Sequence, residues 1–395
     1  MRILHVVGKL DRGGAETWLV QALRHMDRTK CQMDFVVHTI APGAYDKDVR
    51  TLGSRIIPCL KPSNPLRYAW NFYRILRTHG PYDVVHSHVH HYSGYVLWLA
   101  KQAGVRVRVA HSHSDTSGVD RRANALRRAY LHLMVRLVDR SCTHGIAVSR
   151  WAGDSLFTLG WQQNGRFFLL PCGLDLEPFR ERTPWNANAR ELLGIPRGNL
   201  VVGHVGRFTA EKNHQFLAQV AREVIALEQA VTFLLVGDGP LRPAVEKSVK
   251  RNGLERHFLF VGVRNDVPKL MKHAMDIFFL PSLHEGLSIA LLEAQAAGLP
   301  CLISDRIPPE ANIFDAWVLR ENLNNSPLAW ARSLLRLATK GRHRLSADEW
   351  RRLERERSIA TSIEKIISIY TGSVYAGCAL SFSSRERVGG AGCRL

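Results

Sequence analysis

The chain has 395 residues, 46% of them hydrophobic and 23% charged, and its 54 Lys and Arg against 35 Asp and Glu give a formal net charge of +19. This length is too great for one ordinary core and suits two domains of somewhat under roughly 200 residues each. The apolar content is that of a globular protein, and no apolar run reaches the length a membrane-crossing helix needs.

So large a cationic excess suits an anionic companion: nucleic acid, an anionic membrane surface, or a phosphorylated substrate. Nucleic acid is the weakest of these, because the basic residues are spread along the chain and no helix-turn-helix, zinc-finger or RNP-type pattern is present. The first residues, MRILHVVGKLDRGG, run straight into a strand and a glycine loop rather than a signal-peptide apolar region. Seven cysteines, scattered and without C-x-x-C spacing, imply neither a disulfide framework nor a zinc site, so a reducing cytoplasm is expected.

In chain order, short apolar runs alternate with helical stretches. Strands are predicted at 3–7, 34–39, 84–87, 105–110 and 145–148, then at 201–205, 231–236, 258–261, 277–280 and 302–304. Strands alternating with helices indicate parallel sheets covered on both faces, and two such series imply two doubly wound α/β domains. The Pro- and Asn-containing stretch 178–199 is the predicted join. The expected division is 1–180, 181–345, a helix over 346–370, and a disordered tail of Gly, Ser, Ala and Cys over 371–395. Ser346-Ala-Asp-Glu349 is a capping-box pattern. Ile363, Ile366, Ile367 and Tyr370 make an apolar stripe on the helix that it opens, and the stripe must pack on something.

After the first strand comes Gly8-Lys-Leu-Asp-Arg-Gly13-Gly14-Ala15-Glu16, a glycine loop that is not the G-x-G-x-x-G of dinucleotide-binding proteins. The first half is rich in histidine: His86, His88, His90 and His91, then His111 and His113. Their i, i+2 spacing suits zinc, but no carboxylate or cysteine set accompanies them, so histidines at a polar cleft rim are the simpler reading. Arg121, Arg128 and His132 form one stripe of a following helix, and Leu126, Tyr130, Leu133 and Leu137 form an apolar one. Such a helix either packs on the core or rests on anionic lipid.

The second half opens its first strand into Gly203-His-Val-Gly206-Arg207-Phe208-Thr-Ala-Glu211-Lys212-Asn213, where two cations stand at a strand end and could hold a diphosphate. Val236-Gly-Asp238-Gly239-Pro240 reads as glycines turning out of a strand. Finally, the strand predicted at 277–280 leads into PSLHEGLSIALLEAQAAGLP at 281–300, which reads as a loop and then a helix with Ser288 as the expected N-cap. Glu285 lies on the loop and Glu293 about a turn into the helix. Ligands of open α/β sheets bind beyond the strands' carboxyl ends. Carboxylates there suit a polyhydroxyl ligand, and the helix start suits a phosphate.

The 281–300 segment resembles the E-x7-E signature of retaining GT-B glycosyltransferases, most closely the family-four group. The resemblance continues through the G-R-x-x-x-E-K-N pattern at 206–213, the Gly13–Glu16 tetrad, and Val261-Gly-Val263-Arg264-Asn-Asp266-Val267, over nearly the whole chain up to about Tyr370. Cys172-Gly-Leu-Asp175 departs from the family's N-G-V-D. The resemblance implies a GT-B fold, two Rossmann-like domains facing a cleft, and transfer of a sugar from a nucleotide diphosphate sugar, UDP-linked in first place, to an acceptor hydroxyl. It implies that Glu285 binds donor hydroxyls and Glu293 the ribose. Arg207, Lys212 and the amides of Leu287, Ser288 and Ile289 would hold the diphosphate, with Gly14 close by. The backbone near Val263 and Arg264 would meet the base, and His111, preferred to His113, would line the reaction centre. No metal cofactor is expected, and the acceptor would be a glycan or lipid-linked glycan, with the anionic inner face of the plasma membrane as a further partner. A sugar-nucleotide epimerase of the same fold and a non-catalytic membrane-bound binding protein are the alternatives. Both matched motifs argue against the first, and the intact motif residues against the second.

Overall fold

The computed structural model describes residues 1–60, 62–120, 123–180 and 188–373. Seven parallel strands form the first sheet: β1 (Arg2–Val7), β2 (Gln32–Val37), β3 (Ile56–Pro58), β4 (Val84–Ser87), β5 (Val107–Ser112), β6 (His144–Ala147) and β7 (Phe167–Leu169). Six form the second: β8 (Leu200–Val205), β9 (Val231–Val236), β10 (Phe258–Gly262), β11 (Ile277–Leu280), β12 (Cys301–Ser304) and β13 (Val318–Glu321). The orders are β3-β2-β1-β4-β5-β6-β7 and β10-β9-β8-β11-β12-β13. Each reverses once, between β1 and β4 and between β8 and β11, and a reversal leaves a crevice at the strands' carboxyl ends. Burial on both faces explains why β9 (VTFLLV) and β11 (IFFL) are apolar without alternation.

Three strands, β3, β7 and β13, are absent from the sequence-based expectation; each is three or four residues long and at or near a sheet edge. β5 also lies two residues later than predicted. Val105 closes the preceding helix by donating its N–H to the Ala100 carbonyl, while His111 and Ser112 pair with Ile146 and Ala147 of β6. His111 is therefore inside the strand and not beyond its end.

The helices that bear on the site are α1 (Gly14–His25), α2 (Pro65–His79), α3 (Ser93–Gln102), α4 (Ala125–Ser141), α5 (Ile289–Ala296), α6 (Ala347–Arg357) and α7 (Ile359–Thr371). The capping box at Ser346 carries both of its hydrogen bonds. The expected single helix beyond it is two helices. At Ser358 the backbone is extended and forms a bridge with Leu174, whose N–H donates to the Arg357 carbonyl (2.7 Å) and whose carbonyl accepts from Ile359 N–H (2.8 Å). Ser358 then caps α7 through the Thr361 N–H.

α7 packs on the first domain. Trp18 Nε1 donates to Ser362 Oγ (3.3 Å) and the Tyr370 hydroxyl meets His86 Nδ1 (2.5 Å), while Ile363, Ile366 and Tyr370 are buried. One apolar core runs from Ile3 and Val7 through Leu174 and Ile359 to Phe278 and Leu280, so both sheets share it. The predicted tail lies outside the described residues from 374 onward, as does part of the predicted join, 181–187. Among the described residues no helix is long and apolar enough to cross a membrane, and the five described cysteines are buried and free.

Candidate active site

The second-domain wall begins where β8 ends. Gly206 N–H donates to the Val236 carbonyl and Phe208 N–H to the Asp238 carbonyl, both at 3.0 Å, so the Gly237–Gly239 loop backs the Arg207 loop. Gly237 has φ +134°, and a Cβ there would lie 2.1 Å from the Gly206 carbonyl oxygen, which leaves only glycine. Phe208 is buried and stacks on His214 (3.9 Å between ring centroids). Arg207, between a glycine and this anchored ring, is exposed; its carbonyl accepts from the Thr209 N–H (2.8 Å), and its guanidinium has no hydrogen bond or ion pair with the described residues.

Lys212 closes the short turn Ala210–Lys212, and its Nζ reaches Glu285 Oε1 at 2.5 Å. Ser282 Oγ donates to the same oxygen (2.7 Å). Leu283 N–H donates to the Glu211 carbonyl (2.8 Å) and Asn213 Nδ2 to the Pro281 carbonyl (3.1 Å). The loops after β8 and β11 are thus stitched together at the sheet's reversal point, with the Lys212–Glu285 pair between them.

α5 starts at Ile289, and Ser288 departs from its expected role. It sits at φ +67°, makes no side-chain cap, and its hydroxyl is buried without a partner among the described residues. Its carbonyl instead accepts from Leu291 and Leu292. The amides of Ile289 and Ala290 open the helix, at its positive end. Glu293 keeps some exposure, yet desolvation by the surrounding protein pushes its carboxyl up to about 7. Leu287 and Ile289 are buried. Val263 is 51% exposed, whereas the Arg264 guanidinium is tied to Asp266 by two bonds (2.8 and 2.7 Å), which leaves the backbone as the available edge there.

The first domain closes against this wall. Gly14 lies against Ile289: a Cβ on it would sit 3.8 Å from Ile289 Cδ1. Burial raises the Glu16 carboxyl above its ordinary value, and the Arg207 guanidinium, near enough to act on it, pulls it the other way. Arg12 donates to the Arg264 carbonyl (3.1 Å) and Asn265 Oδ1 (2.5 Å). Gly286 abuts the first domain so closely that a Cβ would stand 1.8 Å from the His113 carbonyl oxygen.

The histidines are a stacked cluster and not a cleft rim. His5, His86 and His111 are buried to 2% exposure or less, and His88 and His113 are partly buried. His5 Nδ1 meets His88 Nε2 (3.0 Å), His88 Nδ1 meets His113 Nε2 (2.8 Å), and His111 Nδ1 meets His86 Nε2 (3.2 Å). Burial holds all five well below the usual imidazole range, so they are neutral at pH 7. His111 lies under Trp18, whereas His113 is partly buried and its carbonyl abuts Gly286 of the Glu285 loop.

Residues 12–178 match the family described as Glycosyltransferase Family 4 and residues 199–340 the family described as Glycosyl transferases group 1. The chain is 36% identical to EpsF of Bacillus subtilis (strain 168), named as a glycosyltransferase, over 86% of this chain and 88% of that one. The chain belongs to the family-four glycosyltransferases. It is also 29% identical, over 60% of each chain, to the UDP-Gal:alpha-D-GlcNAc-diphosphoundecaprenol alpha-1,3-galactosyltransferase of Escherichia coli. Among solved structures it is similar to Anabaena Alr3699/HepE in complex with UDP, with a TM-score of 0.74 and 20% identity over 94% of this chain and 100% of that one. This likeness, with the two parallel sheets, gives the glycosyltransferase its GT-B fold.

The structure thus brings Gly14 against Ile289 and Lys212 against Glu285, with Arg207 near Glu16, Glu293 about a turn into α5, and Val263 and Arg264 on the segment that Arg12 ties to the first domain. Ser282 and Arg12 were missed, since a lone serine before Glu285 and one arginine among many carry no spacing signal.

Proposed function

We propose that this glycosyltransferase moves a sugar from a UDP-sugar to the hydroxyl of a lipid-linked glycan, with retention at the anomeric carbon. The observation that carries this reading is the Lys212–Glu285 pair beside the free Arg207 and the start of α5. When a donor enters, its diphosphate competes for Lys212. The freed Glu285 then accepts hydrogen bonds from the sugar hydroxyls, while Arg207, Lys212 and the amides of Ile289 and Ala290 surround the phosphates. Ser288 Oγ, buried without a partner, gains one from a phosphate oxygen. These cations and the helix end offset the charge on the departing UDP, so no metal is needed on the diphosphate. Glu293 meets the ribose, and the backbone of Val263 and Arg264 the base.

His113, rather than the buried His111, faces the anomeric centre. Once Lys212 has turned to the diphosphate, Glu285 is committed to the sugar hydroxyls and keeps only its Ser282 bond, so the acceptor attacks from the leaving group's side and the departing phosphate takes its proton. The names of the relatives support a UDP donor: one is a UDP-galactose transferase acting on a diphosphoundecaprenol, and one fold neighbour is described as a complex with UDP-glucose.

A lipid-borne acceptor also fits the surface. The α4 residues Leu126 (82% exposed), Tyr130 and Leu133 face solvent, whereas Leu131, Met134 and Val138 face the core. Three of the four residues of the apolar stripe predicted there therefore look outward, beside Arg127, Arg128 and His132, while Leu137 is half-buried against Gly94; Arg121 lies outside the described residues. On α2, Leu66 and Trp70 are exposed, with Arg74 over the Trp70 ring (4.7 Å). Apolar side chains among arginines suit an anionic cytoplasmic leaflet.

The test is to incubate the protein with UDP-, GDP- and ADP-sugars and an undecaprenyl-diphosphate-linked sugar, and to read nucleotide release and the anomeric configuration of the product. UDP release with a retained anomer is expected. An inverted anomer would overturn the mechanism, and preference for GDP- or ADP-sugars the donor.

A further inference from the structure

The histidine cluster is larger than a single reaction-centre histidine requires. His88, His111 and His113 each offer a ring nitrogen within 4.8 Å of the others', and His5, His86 and His88 form a second such trio. The first trio has a route to solvent, because His88 and His113 are partly exposed, whereas His5 and His86 are closed off.

We propose that His88, His111 and His113 form a binding site for one late first-row divalent ion, zinc in first place, with a fourth position open toward the cleft. The hydrogen bonds already present select the ligand atoms. His111 spends Nδ1 on His86, and its Nε2 is buried without a partner among the described residues. His88 spends Nε2 on His5 and keeps Nδ1 toward His113 Nε2. An ion held by His111 Nε2, His88 Nδ1 and His113 Nε2 therefore leaves two ligands with their other ring N–H already bonded: His88 to His5, and His111 to His86, which in turn reaches the Tyr370 hydroxyl. That outer ring of acceptors is what orients metal-bound imidazoles. His88 Nδ1 and His113 Nε2 stand 2.8 Å apart, and tetrahedral ligands at about 2.0–2.1 Å from zinc need only slightly more. The ion displaces one hydrogen bond, and from ring nitrogens that lie within 4.8 Å of one another it draws the three to the roughly 3.3 Å spacing of tetrahedral ligands.

The proposed His113 role at the anomeric centre implies that a loaded ion takes this ring out of the reaction and slows turnover. That consequence rests on the donor-site reading above, whereas metal binding does not. The site would make the enzyme sensitive to free zinc without making zinc its cofactor.

The test uses the full chain without a histidine tag, stripped with chelator and titrated with Co²⁺ and Zn²⁺, following visible Co²⁺ absorption and metal per chain. One equivalent with tetrahedral Co²⁺ bands, displaced by Zn²⁺, is expected. His88→Ala and His113→Ala should lose the bands, and the outer-ring variant His5→Phe should weaken binding by about ten-fold or more with the bands kept. No uptake by the folded wild-type chain would overturn the proposal, and so would uptake that folded His88→Ala and His113→Ala both retain. If metal binds but turnover is unchanged, the site stands and the role given to His113 in transfer fails.

Discussion

Lys212→Met leaves Glu285 with only the Ser282 hydroxyl as a partner, in a place where the two side chains are 16% and 11% exposed. Removing one partner of a fully buried pair costs about 3–5 kcal/mol. The residual exposure and the surviving Ser282 bond reduce that here to about 2 kcal/mol, the range of a hydrogen bond to a charged group. Glu285→Gln leaves an unpaired ammonium and should cost about as much. The double variant leaves no isolated charge and should return to within about 1 kcal/mol of wild type, a coupling of about 3 kcal/mol or more. For a domain of this size, each single change lowers Tm by about 4–8 °C. Nucleotide binding then separates the roles, because the pair competes with the diphosphate. Lys212→Met should weaken UDP by about ten-fold or more, since it removes a charge-assisted contact. Glu285→Gln, which frees the lysine, should bind UDP at least as tightly as wild type yet lose transfer. Urea unfolding and UDP titration calorimetry read both cycles. Additive stability losses, or UDP binding weakened equally by both single changes, would refute the argument.

The Glu293 carboxyl, raised by desolvation to about 7, holds a proton in the native chain that the unfolded chain has lost above its ordinary value near 4.5. Stability should therefore fall as pH rises between these values and level off above 7. Glu293→Gln should remove that slope, match wild type near pH 4, and exceed it at pH 8 by up to about 3 kcal/mol; an unchanged Tm-versus-pH curve would contradict this. Gly286→Ala drives a methyl into the His113 carbonyl and should lower kcat/KM by about 100-fold through a displaced Glu285 loop, with far-UV circular dichroism unchanged. Leu126→Ser with Leu133→Ser should reduce co-sedimentation with phosphatidylglycerol vesicles without changing UDP affinity, and wild-type binding should weaken with salt.

Much of this was legible from period and spacing. Runs such as Val231–Val236 and Ile277–Leu280 read as buried strands because both of their faces are covered, and the glutamate pair pointed to the crevice. Edge strands such as Phe167–Leu169 escaped because three residues carry no period. The break at Ser358 was invisible because its cause is Leu174, far away in sequence. The Ser288 cap failed for a similar reason: the residue type fits, but the loop holds it at positive φ. The strand before the histidine pair was assigned two residues early, which set His111 beyond its end instead of inside it. Partners such as Ser282 and Arg12 are matters of three-dimensional approach, which residue type alone does not encode.

The return of α7 onto α1 and His86 has a consequence for how the chain is made. Topologically the second domain is an insertion: the first sheet is complete by Leu169, but its covering helix is the last element described. A ribosome therefore exposes the surface around Trp18 and His86 while some 200 further residues are still to be added. The second sheet, contiguous from Leu200 to Glu321, can finish in the meantime. A chain stopped short of Ile359 would carry every residue of the proposed donor site yet leave that surface bare, marked as unfinished for proteases and chaperones.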